Sequence, residues 1–297
     1  MVSYRTQPRA DCVCGVALVP GPPDVVRDFA LGTVQFARCS ACGSFVQSPQ
    51  FDAASLTAWY DSPEYRGTST VAGAGYHDYF ADEANRIAEA RDRVARDLAP
   101  LLPPQARVLE IGCATGSMLV ALREAGHEVV GIDLSAEFAR YGIEQHKLDV
   151  RCADFLTADL GPRPFDMILL FGTVSNLIDP LAHLARAREL LRDRGILVAN
   201  LPLADSLAAR LYGRRFWMFT PSVASFMSRK GIIELLRRSG FMDVHMAPDR
   251  QRPSLGKLLH HARLPGALRF MGRLGLAEAR LPLAVPIPGV ACIVARR

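Results

Sequence analysis

Long apolar stretches are missing from this sequence. No run approaches the roughly 20 residues that a membrane-crossing helix needs, and residues 1–10 hold no apolar segment of the secretory kind. The expectation is a soluble, cytoplasmic protein with no membrane association. Internal repeats are absent, so a repeat architecture is excluded. Lysine is scarce, three residues against 32 arginines, a bias of genome composition rather than chemistry. No Gly-Lys-Ser/Thr follows a glycine-rich turn, which excludes the phosphate-cradling loop of nucleotide hydrolases, and no complete G-x-G-x-x-G is present.

What is present is a chain of 297 residues, 49% of them hydrophobic, enough for one large domain and a small one. Four of the seven cysteines fall within the first 42 residues. In a reducing compartment such clustering points to a metal rather than to disulfides. Cys39-Ser40-Ala41-Cys42-Gly43 has the two-residue gap that lets both thiolates reach one ion, with a glycine to take the turn. Cys12-Val13-Cys14-Gly15 has a one-residue gap. The other three, Cys113, Cys152 and Cys292, sit in strand-like apolar contexts and are expected to be small core residues. The net charge of +5 is uneven: residues 248–297 hold nine Lys or Arg against Asp249 and Glu278. A basic segment beside a site suits an anionic partner, although a solvated helical face explains it equally.

Three regions emerge: a cysteine-bearing segment at 1–50, a helical cap or linker at 51–104 closed by Pro100, Pro103 and Pro104, and an α/β core at 105–297. Within the core, strands are expected at 107–111, 128–134, 150–153, 165–171, 195–201, 241–246 and 290–295. Helices are expected at 117–125, 136–146, 181–191 and 230–239. Continuous apolar strands alternating with helices indicate a parallel sheet covered on both faces. Inserts at 202–229, rich in aromatics, and at 248–288, basic, interrupt the alternation; inserts of this length are usually functional.

The sharpest motif is Val108-Leu109-Glu110-Ile111-Gly112-Cys113-Ala114-Thr115-Gly116-Ser117, a strand running through a glycine turn into a helix. Gly112 and Gly116 let backbone approach a ligand. Asp133 ends the next strand, where an acid can accept hydrogen bonds from both hydroxyls of a ribose. Glu110 would repel a pyrophosphate; it suits a nucleoside ligand with an amino group and no phosphate, a description that S-adenosylmethionine (SAM) fits.

These residues resemble class I SAM-dependent methyltransferases of the small-molecule type, over roughly residues 80–247. Glu110-x-Gly112-x-Ala114-x-Gly116 is similar to the family's E/D-x-G-x-G-x-G, with alanine in place of the middle glycine. The resemblance implies a Rossmann-like seven-stranded sheet of order 3-2-1-4-5-7-6 with the seventh strand antiparallel. It implies SAM contacts from Tyr76, Glu110, Gly112, Ala114, Gly116, Asp133, Leu134, Asp154, Phe155 and Phe171. The N-terminal segment resembles the zinc ribbon attached to some of these enzymes, implying structural zinc on Cys14, Cys39, Cys42 and Cys12, with Asp11 as the alternative fourth ligand.

In-line methyl transfer needs alignment more than acid–base chemistry. Relatives often read Glu-His-Leu-x-Asp-Pro after the fourth strand; here Ser175 and Asn176 stand in the Glu-His places. Asn176 can orient an acceptor but cannot take a proton. His77 is the candidate base or acceptor contact; His260 and His261 face the substrate if the basic insert does, and His127 and His183 are expected to be structural. The aromatic insert is expected to form the acceptor pocket. The reading favoured is methyl transfer to a small, anionic or carrier- or nucleotide-linked metabolite. Two alternatives are an RNA base methyltransferase, disfavoured because the first 50 residues carry few basic side chains, and a non-catalytic SAM-binding protein.

Overall fold

The computed structural model describes residues 4–29, 32–60, 79–255, 266–267, 270–271, 274–276 and 279–297. The chain starts with β1 (Thr6–Gln7), then β2 (Val25–Phe29), β3 (Gly32–Arg38), β4 (Phe45–Gln47) and β5 (Gln50–Phe51). Helix α1 (Ala53–Tyr60) follows, and α2 (Glu83–Arg93) continues through a π turn at Val94–Leu98 and a 3-10 turn at Ala99–Leu101. Pro100 and Pro103 end this run, because proline cannot donate to the preceding turn.

The alternating core comes next: β6 (Arg107–Ile111), α3 (Ser117–Glu124), β7 (Glu128–Asp133), α4 (Ala136–His146), β8 (Val150–Cys152), β9 (Phe165–Phe171), α5 (Pro180–Leu190) and β10 (Leu191–Pro202). Then come α6 (Leu207–Tyr212), β11 (Ser225–Phe226), α7 (Arg229–Arg238), β12 (Asp243–Gln251) and β13 (Val285–Arg296). The seven-stranded sheet runs β12-β13-β10-β9-β6-β7-β8. Numbered along the core, that is the expected 3-2-1-4-5-7-6, with β13 antiparallel to both β10 and β12.

Strand β6 lies in the sheet interior with all five residues buried, and β9 buries five of seven. That is why both read as apolar runs rather than alternating ones. Helix starts are capped: Ser135, Asp179, Ser206 and Ser228 each accept a backbone N–H of the following turn, worth about 1 kcal/mol apiece.

A second sheet, β11-β4-β3-β2, joins regions far apart in sequence. Its β11 comes from the insert after β10 and pairs with β4 at Ser225↔Val46 and Phe226↔Phe45. Phe36, Phe216, Phe219 and Phe226 pack between this sheet and the insert, Phe36 edge-on to Phe219 at 5.1 Å and Phe216 stacked on Phe226 at 5.2 Å. Each such ring stabilises the fold by about 1.5–3 kcal/mol. These phenylalanines are therefore core, a correction to the expectation that the whole aromatic insert lines a pocket. Cys113 is buried as expected, but Cys292 is half-buried and Cys152 is exposed. Among the described residues no helix is long and apolar enough to cross a membrane.

Candidate active site

The glycine turn after β6 has three residues in the left-handed region: Gly112 (φ 73°), Ala114 (φ 47°) and Gly116 (φ 86°). At Gly112 a Cβ would stand 2.5 Å from Thr173 Oγ1, so glycine is required by close approach as well as by conformation. Ala114 is held in a conformation that costs an L residue roughly 1–2 kcal/mol. Asp133 at the end of β7 supports it: Oδ2 accepts the Ala114 N–H at 2.8 Å, and Oδ1 accepts the Ser135 N–H at 2.8 Å. A carboxylate offers about four acceptor directions, so holding the loop is compatible with accepting from a diol.

The turn forms one wall of a cavity of about 630 Å³. Asp133, Leu134, Asp154, Phe155, Phe171, Gly172, Asn176 and His183 share its lining with the apolar side chains of Leu56, Trp217, Met218 and Val223 and with Tyr60, which stands close enough to Asp133 to feel its charge. The structure thus brings together Gly112, Ala114, Asp133, Leu134, Asp154, Phe155, Phe171 and Asn176 around one space. Gly116 is not among the residues lining it; a Cβ there would meet Leu148 Cδ1 at 2.4 Å, so close packing requires glycine. Glu110 lines an adjoining cavity of about 260 Å³ that shares Tyr79, Gly112, Phe171, Gly172 and Asn200 with the first. Tyr76, His77, His260 and His261 lie outside the described residues.

Charge divides the two cavities. The described lining of the large one holds Asp133, Asp154, Asp179 and His183 and neither Arg nor Lys. The small one carries Arg86, Arg93, Arg96, Arg250 and Arg252 with Glu89, Asp92 and Glu110. Burial first, and repulsion from Asp133 second, hold the Glu110 carboxyl well above the ordinary glutamate range. Among the described residues its buried Oε2 has no hydrogen-bond partner, which leaves an acceptor open toward the cavity. Arg93 pairs with the equally buried Asp249 at 2.8 Å and lies 4.8 Å over the Phe171 ring. Asp249 also accepts from Asn200 Nδ2 at 2.9 Å, and Asn200 Oδ1 accepts the Gly172 N–H at 2.8 Å. This network fixes the turn after β9, the strand end facing the cavity.

Several site residues carry no local sequence signal. Tyr60 hydrogen-bonds Asn176, and burial together with the nearby Asp133 pushes its hydroxyl well above the usual range, so it stays protonated as a donor. His183, expected to be structural, lines the large cavity. Its Nδ1 sits 2.7 Å from the Asp179 carbonyl and its ring stacks on Phe155 at 5.9 Å. Burial lowers its pKa, so the neutral form is favoured. His127 does hold structure, accepting the Ala106 N–H at 3.2 Å. Trp217 reaches the cavity and Met218 is shared between cavity and core, while their neighbours Phe216 and Phe219 turn into the core.

The four N-terminal cysteines converge outside the cavity. Their sulfurs all lie within 4.8 Å of one another, Cys12 to Cys42 at 3.5 Å and Cys14 to Cys39 at 3.7 Å. Four thiolates at about 2.3 Å from a tetrahedral zinc stand about 3.8 Å apart, so the donor set fits that ion. Each pair turns through a left-handed glycine, Gly15 and Gly43, whose N–H bonds the first cysteine's carbonyl at 2.8 Å in both knuckles. Asp11 is exposed and bridges Ala17 instead; Cys12 completes the set. Hydrogen bonding between Cys12 and Cys42 pushes the Cys12 thiol up and the Cys42 thiol down.

A methyltransferase-domain family profile matches residues 81–246, more than half of the chain. The chain belongs to that family. It is a class I SAM-dependent methyltransferase. Over 159 residues it is 31% identical to a ubiquinone biosynthesis O-methyltransferase of Cereibacter sphaeroides, covering 49% of this chain and 64% of that protein. The chain thus spans just under two thirds of that relative's length. Among solved structures, the fold is similar to magnesium protoporphyrin IX methyltransferase of Synechocystis PCC 6803 with bound S-adenosylhomocysteine (SAH). The TM-score is 0.54 at 14% identity, covering 83% of this chain and 100% of that one. It is also similar to phosphoethanolamine N-methyltransferase 2 of Haemonchus contortus in complex with SAM, at TM-score 0.51 and 14% identity, covering 92% of this chain and 71% of that one.

Proposed function

We propose that this methyltransferase acts on a small molecule whose reacting end is uncharged and apolar, with any anionic or carrier-linked part held away from that end. The observation that carries the reading is the apolar part of the lining, Leu56, Trp217, Met218 and Val223, with no cationic side chain in the described lining. Such a surface suits a ring and gives nothing to a phosphate backbone, which argues against RNA. The resemblance to a ubiquinone biosynthesis O-methyltransferase supports oxygen as the atom methylated.

SAM supplies an activated methyl on a sulfonium, so the chain's task is alignment. In this reading Asp133 holds the ribose, Leu134 and Phe155 flank the adenine, and Asp154 meets its amino group. Glu110 faces the methionine end, and Asn176 with Tyr60 orients the acceptor. Tyr60 stays protonated and does not abstract, so the proton of an acceptor that must lose one goes to the neutral His183 ring or to solvent. The cysteine centre holds a structural zinc. The test is incubation with SAM and a panel of phenols, carboxylates and phosphate esters, read by mass spectrometry. A methyl-sized mass gain on the phenols supports the proposal; a gain confined to phosphate esters or RNA sinks it.

A further inference from the structure

The cysteine centre and the acceptor wall belong to one mechanical unit. The wall residues Thr220, Ser222 and Val223 lead directly into Ala224, β11 and Ser228. That stretch is fastened to β4 through Gln47 and to the second knuckle through Ser228. The Gln47 N–H donates to Ala224 O at 3.0 Å, and Gln47 Nε2 to Pro221 O at 3.4 Å. Ser228 Oγ donates to Cys42 O at 2.6 Å, and the Ser228 N–H donates to Ser44 Oγ at 3.0 Å. Both serines are buried. A Cβ on Gly231 would stand 2.2 Å from Ser44 Oγ and 3.4 Å from Cys42 Sγ, so the first turn of α7 seats directly on the knuckle.

Three cations also converge on the centre. Arg238 donates to Val13 O at 3.0 Å, Lys230 to Ala41 O at 2.8 Å, and Arg9 to Asp11 O at 3.2 Å. Arg9 reaches across to Ala224 O at 3.3 Å as well. Four thiolates around a divalent ion leave two net negative charges, which these cations and the α7 N-terminus offset. The glycine turn, Asp133 and Asp154 draw hydrogen bonds from β7 and their own turns, and they share with Cys12, Cys39 and Cys42 one buried apolar cluster through Ile111, Ile132 and Phe155.

We infer that the four-cysteine centre positions the segment 220–228, of which Thr220, Ser222 and Val223 line the cavity, so that filling the centre with metal shapes the acceptor side of the cavity and leaves SAM binding unchanged. The inference rests on the zinc and acceptor assignments proposed above. A metal ion fixes four ligands in one geometry, and the bonds from Ser44, Gln47 and Cys42 carry that order to the wall.

Hydrogen exchange on the full-length protein tests this, with metal content measured in the same samples before and after chelation. Removing the metal should speed exchange of amides at 221–228 by about tenfold or more while 107–134 keep their protection. SAH affinity, by calorimetry, should stay within about twofold. Gly231→Ala keeps all four thiols, and is expected to retain its metal while loosening 221–228 in the same direction. Unchanged protection at 221–228 in both the stripped protein and Gly231→Ala overturns the coupling. A fall in SAH affinity that parallels the loosening overturns the division into halves. A protein that takes up no zinc overturns the metal part, and Gly231→Ala then decides the contact alone. Failure of the unmodified protein to bind SAH strikes the cofactor assignment, a separate result.

Discussion

The two halves of the cavity are built in opposite ways. The cofactor half comes from strand ends of one sheet, β6, β7, β8 and β9, each followed by its own turn. Its residues sit where any chain with this topology must place them. The acceptor half comes from α1 and the stretch after β10, backed by β4 from near the N-terminus. The first is a property of the fold; the second is a property of this chain. On the proposed assignment, donor binding rests on local turns, whereas acceptor choice depends on contacts spanning most of the sequence.

The strongest way to break that comparison is to strike each half in turn. Asp133→Ala removes a charged acceptor for the ribose and the support of Ala114; SAH binding should weaken by about a hundredfold or more, since bonds to charged groups are worth about 1.5–3 kcal/mol each. Trp217→Ala should leave SAH affinity within about twofold while reducing methylation. Equal losses from both variants, measured by calorimetry, would erase the distinction. Gly112→Ala comes next. With φ at 73° and Thr173 Oγ1 in the way, it should destabilise the protein by about 2–3 kcal/mol in urea unfolding. Thr173→Ala in the same chain should return part of that loss.

Glu110 sharpens the cofactor half through pH. Its folded pKa is raised, so its contribution to stability is fully present below the unfolded value and is lost as pH rises through the folded one. Ligand-free Glu110→Gln should therefore gain melting temperature on the wild type as pH increases, and the two curves should converge in acid. SAH binding to the wild type should release a proton, visible in buffers of different ionisation heat, and the variant should release none. The smallest expected effect is at Ala114. Ala114→Gly relieves the left-handed strain but adds freedom to the unfolded chain; the net gain should be about 0.5–1 kcal/mol, with SAH affinity preserved.

The same contrast explains what could be read from the residues alone. The strand order, the turn from Gly112 to Gly116 and Asp133 were legible because period, glycine and a strand-end acid lie within a few residues of each other. Helix α4 was legible because Ser135 caps it. Tyr60 and the Arg93–Asp249–Asn200 network were not, since each depends on partners that only the sheet brings together. The aromatic insert shows the limit plainly: Phe216 and Trp217 are adjacent and equally apolar, yet one enters the core and the other faces the cavity. Which way each points is decided by β11 pairing with β4, a contact some 180 residues distant in sequence.

The central claim is that the space between the glycine turn and Asp133 is a SAM site. Calorimetric titration of the full-length protein with SAH addresses it directly. The account predicts saturable binding of one SAH per chain, lost in Asp133→Ala and retained in Trp217→Ala; no heat of binding at millimolar SAH would contradict it.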